Sequence, residues 1–327
     1  MPFQSRITNV PNMLTFINAL ADFAIANGSF TDEGTLVGGV RILKRGDIYW
    51  CMYPSGPMTY NYSSPSPMLS RMTYVKPTTL AEVGTVPGQY SFTVFAPWKG
   101  AGPYISFYLF QQGHAVHGVL EVLPNVFLHY SFGVINKNGA FEGGEYITSH
   151  APFYNAAISG AQVFTFYGDH TKNVYPFDGG YGEFNQDEAN RPCARPGWMR
   201  HIQGGVKNNN ASDFGPIGQG AYLGKNMTMV SMAGAVSNQT ASFGLNNFNL
   251  RSPIFPVYVR SRDVSNPSVA FHLGEVPGVG YLKGRLIPEA GMVDLTWQVF
   301  PIGGRENPPD GSQYQTTTNK SLAYLRA

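Results

Sequence analysis

The chain has 327 residues, only 13% of them charged, with 22 Lys and Arg against 20 Asp and Glu. Its 38 Gly and 24 Pro make up about a fifth of the residues, against a usual share of roughly 12%, which excludes a coiled coil or long-helix protein. A hydrophobic content of 43% with a net charge of +2 excludes a disordered chain, and the near-neutral balance leaves no electrostatic footprint for nucleic acid.

The N-terminal stretch lacks the basic start and apolar run of a signal peptide, and Pro2 and Pro11 interrupt it. Synthesis in a reducing cytoplasm is the expectation. Residues 12–27 then carry apolar side chains at three- and four-residue spacing and predict one amphipathic helix. Asn12 is placed to cap its start, and Gly28 to end it in a left-handed conformation. The stripe Leu14, Ile17 and Leu20 is expected to pack on a sheet.

Beyond residue 37 the period shortens. Val37 to Lys44 and Asp47 to Tyr53 flank Arg45-Gly46-Asp47 and read as a hairpin, with Gly46 supplying the positive φ of its turn. Arg-Gly-Asp is also an integrin-binding tripeptide, but all three residues are ordinary turn formers. Arg41, Lys44 and Arg45 form the tightest basic group and read as a solvated turn. Residues 54–68, rich in Pro, Ser and Tyr, read as an extended surface loop.

Further strands are predicted at Tyr90 to Phe95, Tyr104 to Gln111, His117 to Leu123 and Val126 to Phe132. Strand following strand argues for an antiparallel meander. Residues 151–252 are rich in Gly and Asn, show weak periodicity and read as a loop-rich insertion. Strand signals return at Pro256 to Arg260, Ser268 to Leu273, Tyr281 to Ile287 and Leu295 to Phe300, and Ser321 to Leu325 could close the sheet. The expected fold is mainly β: antiparallel sheets, sandwich or barrel-like, with one N-terminal helix and long loops. Residues 1–150 and 253–327 are expected to share one sheet system with 151–252 inserted. No apolar run of about 18 residues predicts a membrane span.

The candidate chemistry is sparse. Cys51 sits in an apolar run and reads as a buried small hydrophobe. Cys193 lies in a loop between Arg191 and Arg195, without an identifiable base. His114, His117, Glu121 and His129 are the best metal candidates. On a strand His114 and His117 point to opposite faces, and His117 and Glu121 share a face but stand about 13 Å apart. Glu142 and Glu145, with Asp169, Asp178, Asp187 and Glu188 in the loops, offer carboxylates for glycoside hydrolysis without a defining spacing. There is no nucleophile elbow, phosphate loop or dinucleotide fingerprint, and no cofactor is expected. The glycines of Phe141-Glu142-Gly143-Gly144-Glu145-Tyr146 would permit a tight turn or bulge.

Three stretches carry a resemblance. They are the helical segment from Asn12 to Phe30 with the hairpin after it; His129 to Tyr146, reading His-Tyr-Ser-Phe-Gly-Val-Ile-Asn-Lys-Asn-Gly-Ala-Phe-Glu-Gly-Gly-Glu-Tyr; and Trp297-Gln-Val-Phe-Pro-Ile with the late Asn319-Lys-Ser-Leu-Ala-Tyr-Leu. Together they resemble structural proteins of tailed bacteriophage virions. The resemblance implies a non-enzymatic, homo-oligomeric subunit of the tail, neck or baseplate, located in the virion and in contact with other virion proteins. Aromatic residues are the expected subunit contacts, with Phe141, Tyr146, Tyr154, Tyr175, Phe177 and Tyr181 the candidates. The alternatives are a carbohydrate- or receptor-binding module at a tail tip or fibre, and a glycan hydrolase.

Overall fold

The computed structural model describes residues 3–54, 68–85, 93–95, 102–124, 126–150, 197–201, 214–217, 226–231, 254–262, 270–283, 296–301 and 320–326. In chain order these form β1 (Phe3–Val10), α1 (Met13–Ala26), β2 (Thr31–Leu36), β3 (Val40–Arg45), β4 (Ile48–Tyr53), β5 (Met68–Thr73), α2 (Leu80–Thr85) and β6 (Thr93–Phe95). Then come β7 (Tyr104–Gln112), β8 (Ala115–Leu123), β9 (Val126–Val134), β10 (Asn136–Lys137) and β11 (Gly143–His150). β12 (Gly197–His201), β13 (Phe214–Ile217) and β14 (Asn226–Ser231) fall in the stretch read as loop. The last strands are β15 (Phe255–Arg262), β16 (Ala270–Lys283), β17 (Trp297–Pro301) and β18 (Lys320–Leu325). The protein is mainly β, and neither described helix is long and apolar enough to cross a membrane.

Two sheets hold these strands. The smaller runs β2-β3-β4-β5-β6, and the larger, of 13 strands, runs β1-β7-β8-β9-β11-β12-β13-β14-β15-β16-β18-β17 with β10 beside β16. Pairing is antiparallel apart from β13 and β14, joined in parallel at Ile217 and Met227. The larger sheet is open and does not close into a barrel among the described residues. It bends back on itself instead, so the architecture is sandwich-like.

Side-chain alternation along the central strands explains the layering. On β7, Phe107 and Leu109 face one way, towards α1 and the smaller sheet, in a core that includes Phe16, Leu20, Trp50 and Met72. Tyr108 and Phe110 face the other way, onto Phe300, Leu322 and Tyr324 of the C-terminal strands. β8 and β9 divide similarly: Val116, Leu120, Leu128 and Tyr130 lie in the first core, and Ala115, Val119 and Phe127 in the second. A strand buried on both faces shows no polar alternation, which is why β7 reads as a nearly continuous apolar run.

α1 forms where the spacing predicts it. The Asn12 side chain accepts a hydrogen bond from the Thr15 N–H at 3.0 Å, and Gly28 follows the last turn with φ +71°. The helix lies between both sheets, so more than one stripe is covered: Met13, Phe16, Ile17, Leu20, Ala21, Phe23 and Ala24 are all buried, whereas Leu14 is partly exposed. β8 meets the helix at Gly118, where a Cβ would stand 2.8 Å from the Phe16 ring. The expected hairpin is β3–β4, with Arg45 opposite Ile48 and Gly46 at φ +56°.

β2 was not evident in the sequence. It is an edge strand with an exposed, charged pattern, and a bulge between Asp32 and Gly34 breaks its register with β3. The two strands expected around residues 268–287 are one, β16. It continues through Gly274, Pro277, Gly278 and Gly280 because its register with β15 shifts between Pro256 and Tyr258, and a bulge accommodates a residue that cannot donate to the ladder. The tight turn or bulge expected in Phe141 to Tyr146 is a bulge in β11, where the register with β12 shifts between Gly143 and Tyr146.

The packing makes a quantitative expectation. Phe16 is fully buried and meets Phe107 edge-on, with ring centroids 5.5 Å apart. Phe16→Ala should lower stability by about 3–5 kcal/mol. Denaturant titration followed by tryptophan fluorescence would measure it, and a loss under about 1 kcal/mol would show that α1 does not anchor the two sheets.

Candidate functional site

A connected network of buried polar side chains among the described residues grows from β8 and β9. His117 lies opposite Ser131 in the register, and both point to the face covered by the C-terminal strands. Ser131 Oγ lies 2.8 Å from His117 Nδ1 and 2.7 Å from the Tyr146 hydroxyl on β11. His117 Nε2 lies 2.8 Å from the carbonyl oxygen of Pro277. That carbonyl can only accept, so Nε2 carries the proton and Nδ1 accepts from the Ser131 hydroxyl. Ser131 in turn accepts from Tyr146. The chain of donors therefore runs Tyr146 to Ser131 to His117 to Pro277, and every member has a defined role.

Pro277 falls in the register gap of β16, without a ladder partner among the described residues. The bulge that admits the proline also presents its carbonyl to the histidine. His129 extends the constellation: its Nδ1 shares a hydrogen bond of 2.9 Å with the Tyr324 hydroxyl, and its ring stacks on Tyr324 at 5.9 Å. The Tyr324 ring also stacks on Phe110 at 5.1 Å.

Electrostatics follow from burial. His117 is completely enclosed, and desolvation pushes its pKa down from 6.5 to about 4, outweighing the hydrogen bond to Pro277. Burial likewise raises the Tyr146 and Tyr324 hydroxyls, which stay neutral and able to donate. A serine hydroxyl bonded to an imidazole is the geometry of an activated nucleophile. Here Ser131 is 1% exposed and His117 0%, so the pair sits in the core with no surface at which a substrate carbonyl could reach Oγ. What the arrangement does is bind layers: β8, β9 and β11 on one side, β16 and β18 on the other.

A second constellation ties β12 to β11 within the larger sheet and touches the smaller sheet's side at Tyr74. Arg200 on β12 donates to Glu145 at 3.1 Å and to Glu142, and its guanidinium lies over the Tyr74 ring at 5.3 Å. Its side chain is 4% exposed, that of Glu145 15% and that of Glu142 50%. The two carboxylates considered for glycoside hydrolysis thus converge on one buried cation. Neutral links join the two sheets directly. Trp50 Nε1 donates to the Tyr146 carbonyl at 3.3 Å, and the Tyr130 hydroxyl to Ser70 Oγ at 2.8 Å.

The remaining sequence candidates fall as follows. His117 and His129 share a buried face, but their ring nitrogens bond to Pro277, Ser131 and Tyr324, and His114 lies in the β7–β8 turn. Among the described residues no three His, Cys, Asp or Glu side chains converge to hold a metal. Cys51 is buried and free, and desolvation pushes its thiol up to about 12. The basic group at Arg41 is not a solvated turn. Arg41 is 7% exposed and pairs with Asp22 at 2.7 Å and with Asp32 at 3.6 Å, tying β3 to α1 and β2. Arg45 donates to the Ser29 carbonyl at 2.8 Å, so the Arg-Gly-Asp turn holds its arginine against its own chain.

Of the expected subunit contacts, Tyr146 is fully buried and used inside the chain as described. Phe141 is half-buried beside the second core, with Lys137 over its ring at 5.4 Å. Tyr154, Tyr175, Phe177 and Tyr181 lie outside the described residues, as do Asp169, Asp178, Asp187, Glu188 and Cys193. Sequence reasoning missed Ser131, Tyr324 and Arg200. The detectable signal was an isolated polar residue within an otherwise apolar strand.

The chain matches no protein-family model and no curated protein.

Two outcomes follow. His117 binds a proton less readily folded than unfolded, so its contribution to stability is complete above pH 6.5 and is lost as the pH falls towards about 4. The loss should reach about 3 kcal/mol. Equilibrium unfolding at stepped pH should show that slope, and His117→Gln should flatten it. Separately, Arg200→Leu strands two carboxylates and should cost about 3–5 kcal/mol, whereas Glu142→Gln, at a half-exposed position, should cost less than about 1 kcal/mol. Denaturation midpoints of the two variants would test the contrast.

Proposed function

We propose that this protein is a non-enzymatic structural subunit of a tailed bacteriophage virion, assembled as a homo-oligomer into the tail, neck or baseplate. The observation that carries the reading is where the resembling stretches fall. Asn12 to Phe30 and its hairpin supply α1, β3 and β4. His129 to Tyr146 supplies most of β9, all of β10 and the start of β11. The late stretches supply β17 and β18. Sequence elements far apart in the chain thus meet in one layered frame, and the resemblance follows that frame.

The way polar side chains are used supports the same reading. Imidazole, hydroxyl, guanidinium and carboxylate groups join one layer to the next, as suits a part that must keep its shape under load. Subunit contacts are assigned to Phe141 on the described surface and to Tyr154, Tyr175, Phe177 and Tyr181. Tyr146 is withdrawn from that set, because its ring is consumed in the core.

The purified full-length protein should form rings or stacked assemblies by light scattering and negative-stain imaging. Phe141→Ser should shift it towards smaller species while leaving its circular dichroism unchanged. A protein that stays monomeric at high concentration, and that clears peptidoglycan or capsule in a zymogram or binds surface glycans on an array, would replace this reading with a hydrolase or a receptor-binding module.

A further inference from the structure

The chain of hydrogen bonds through His117 has a polarity, and that polarity leaves no place for another proton. Each hydrogen in it points towards the Pro277 carbonyl: from Tyr146 to Ser131, from Ser131 to Nδ1, and from Nε2 to Pro277. A proton arriving at Nδ1 turns that nitrogen into a donor. Ser131 must then accept from it and aim its own hydrogen at the Tyr146 oxygen. Tyr146 thereby loses the acceptor of its hydroxyl, which is fully buried and bonds to Ser131 alone among the described residues. The proton leaves a charge on the ring and a hydroxyl hydrogen without a partner, and both are costly out of water.

Among the described residues no carboxylate compensates. The same face of β8 carries Glu121, about 13 Å further along the strand, where it accepts from Ser106 on β7 at 2.7 Å. β7 turns Tyr108 and Phe110 into this core, β9 turns His129, and β17 brings Phe300. Glu275 on β16 lies at the pairings with Asn136 and Tyr258. Tyr324 on β18 offers a tilted ring at 5.3 Å but no negative charge. Burial and the Pro277 bond are what act on the titration of His117.

An imidazolium here needs water, and its position decides which side opens. The other face of β8 is closed by α1 over Val116, Gly118 and Leu120. The ring faces the C-terminal strands, which meet it at Pro277 and Tyr324. Just before the proline, main-chain pairing ties β16 to β10 at Glu275 and Gly274. The layer can part at the ring and pivot where β10 holds it.

We propose that β15 to β18 form an acid-released cover: a proton taken from solvent by His117 parts this layer from the central strands, while the core shared with α1 stays closed. Release uncovers the aromatic face of Phe110, Phe127 and Phe300 without unfolding the chain.

The test is amide hydrogen exchange with mass spectrometry on the intact protein, expressed as protection factors at pH 7 and pH 5. A ring that titrates at about 4 when covered and near 6.5 when open should cost β16 and β18 about twentyfold in protection over that interval, while α1 and β4 change less than about twofold. His117→Gln, neutral throughout, should abolish the drop. Exchange of the carbon-bound hydrogen on each imidazole, read in the same peptides, assigns the titration in the unaltered protein even if that variant fails to fold. Its midpoint at His117 should match the pH at which protection is lost. Equal loss across α1 and β18 would overturn the proposal, since that is global unfolding. So would unchanged protection of β16 and β18, or a loss that persists in His117→Gln or follows His129 instead.

Discussion

The central strands β7, β8, β9 and β11 are covered on both faces. That double burial is the constraint to which the rest of the described structure answers. A single-faced sheet can leave alternate positions to water. Here alternate positions feed two different cores, one shared with α1 and the smaller sheet and the other with β15 to β18. Polar side chains on these strands must therefore find partners inside the protein, because an unsatisfied buried group costs about 1–3 kcal/mol. His117, Ser131 and Tyr146 satisfy one another and the Pro277 carbonyl. The network follows from enclosing those residues between layers, and it also fixes the lateral position of one layer on the next.

The layers are joined differently on the two sides. Towards the C-terminal strands the bonds are neutral and fully buried, and the aromatic rings of Phe110, Tyr324, Phe300 and His129 surround them. Apolar contact supplies the attraction, and the hydrogen bonds supply direction. On the side of the smaller sheet ion pairs reinforce each layer, with Arg41 tying β3 to α1 and β2, Arg200 tying β12 to β11, and more exposed carboxylates as their partners. Water at one end lowers the desolvation cost of such pairs, whereas full enclosure would raise it. The neutral side is thus sensitive to acid through its histidine, and the ionic side to the loss of a cation.

Much of the frame was legible in the sequence. α1 announced itself by its spacing and caps, and the β3–β4 hairpin by its glycine turn. β7, β8 and β9 were recognisable as apolar runs. β1, β2 and β5 were not. β2 is exposed and charged, as an edge strand can be, and carries no hydrophobic signature. β16 misled for the opposite reason: Gly274, Pro277 and Gly278 look like a turn, yet they occupy a bulge inside one long strand. The site residues were half legible. His117 and His129 stood out as polar residues in apolar strands, but their partners Pro277 and Tyr324 lie 160 and 195 residues away in sequence. Register across a bent sheet brings them together, and no local pattern encodes that register.

The irregular edge of the smaller sheet has a consequence for life in a crowd. β2 ends its sheet with Asp32 and Glu33 side by side, and the Gly34 N–H turns back to the Asp32 carboxylate at 2.9 Å. A kinked, acidic rim is a poor template for an incoming strand from another molecule. Chains gathered at high local concentration would be deterred from zipping together along this border, leaving side-chain surfaces to govern which neighbour is accepted.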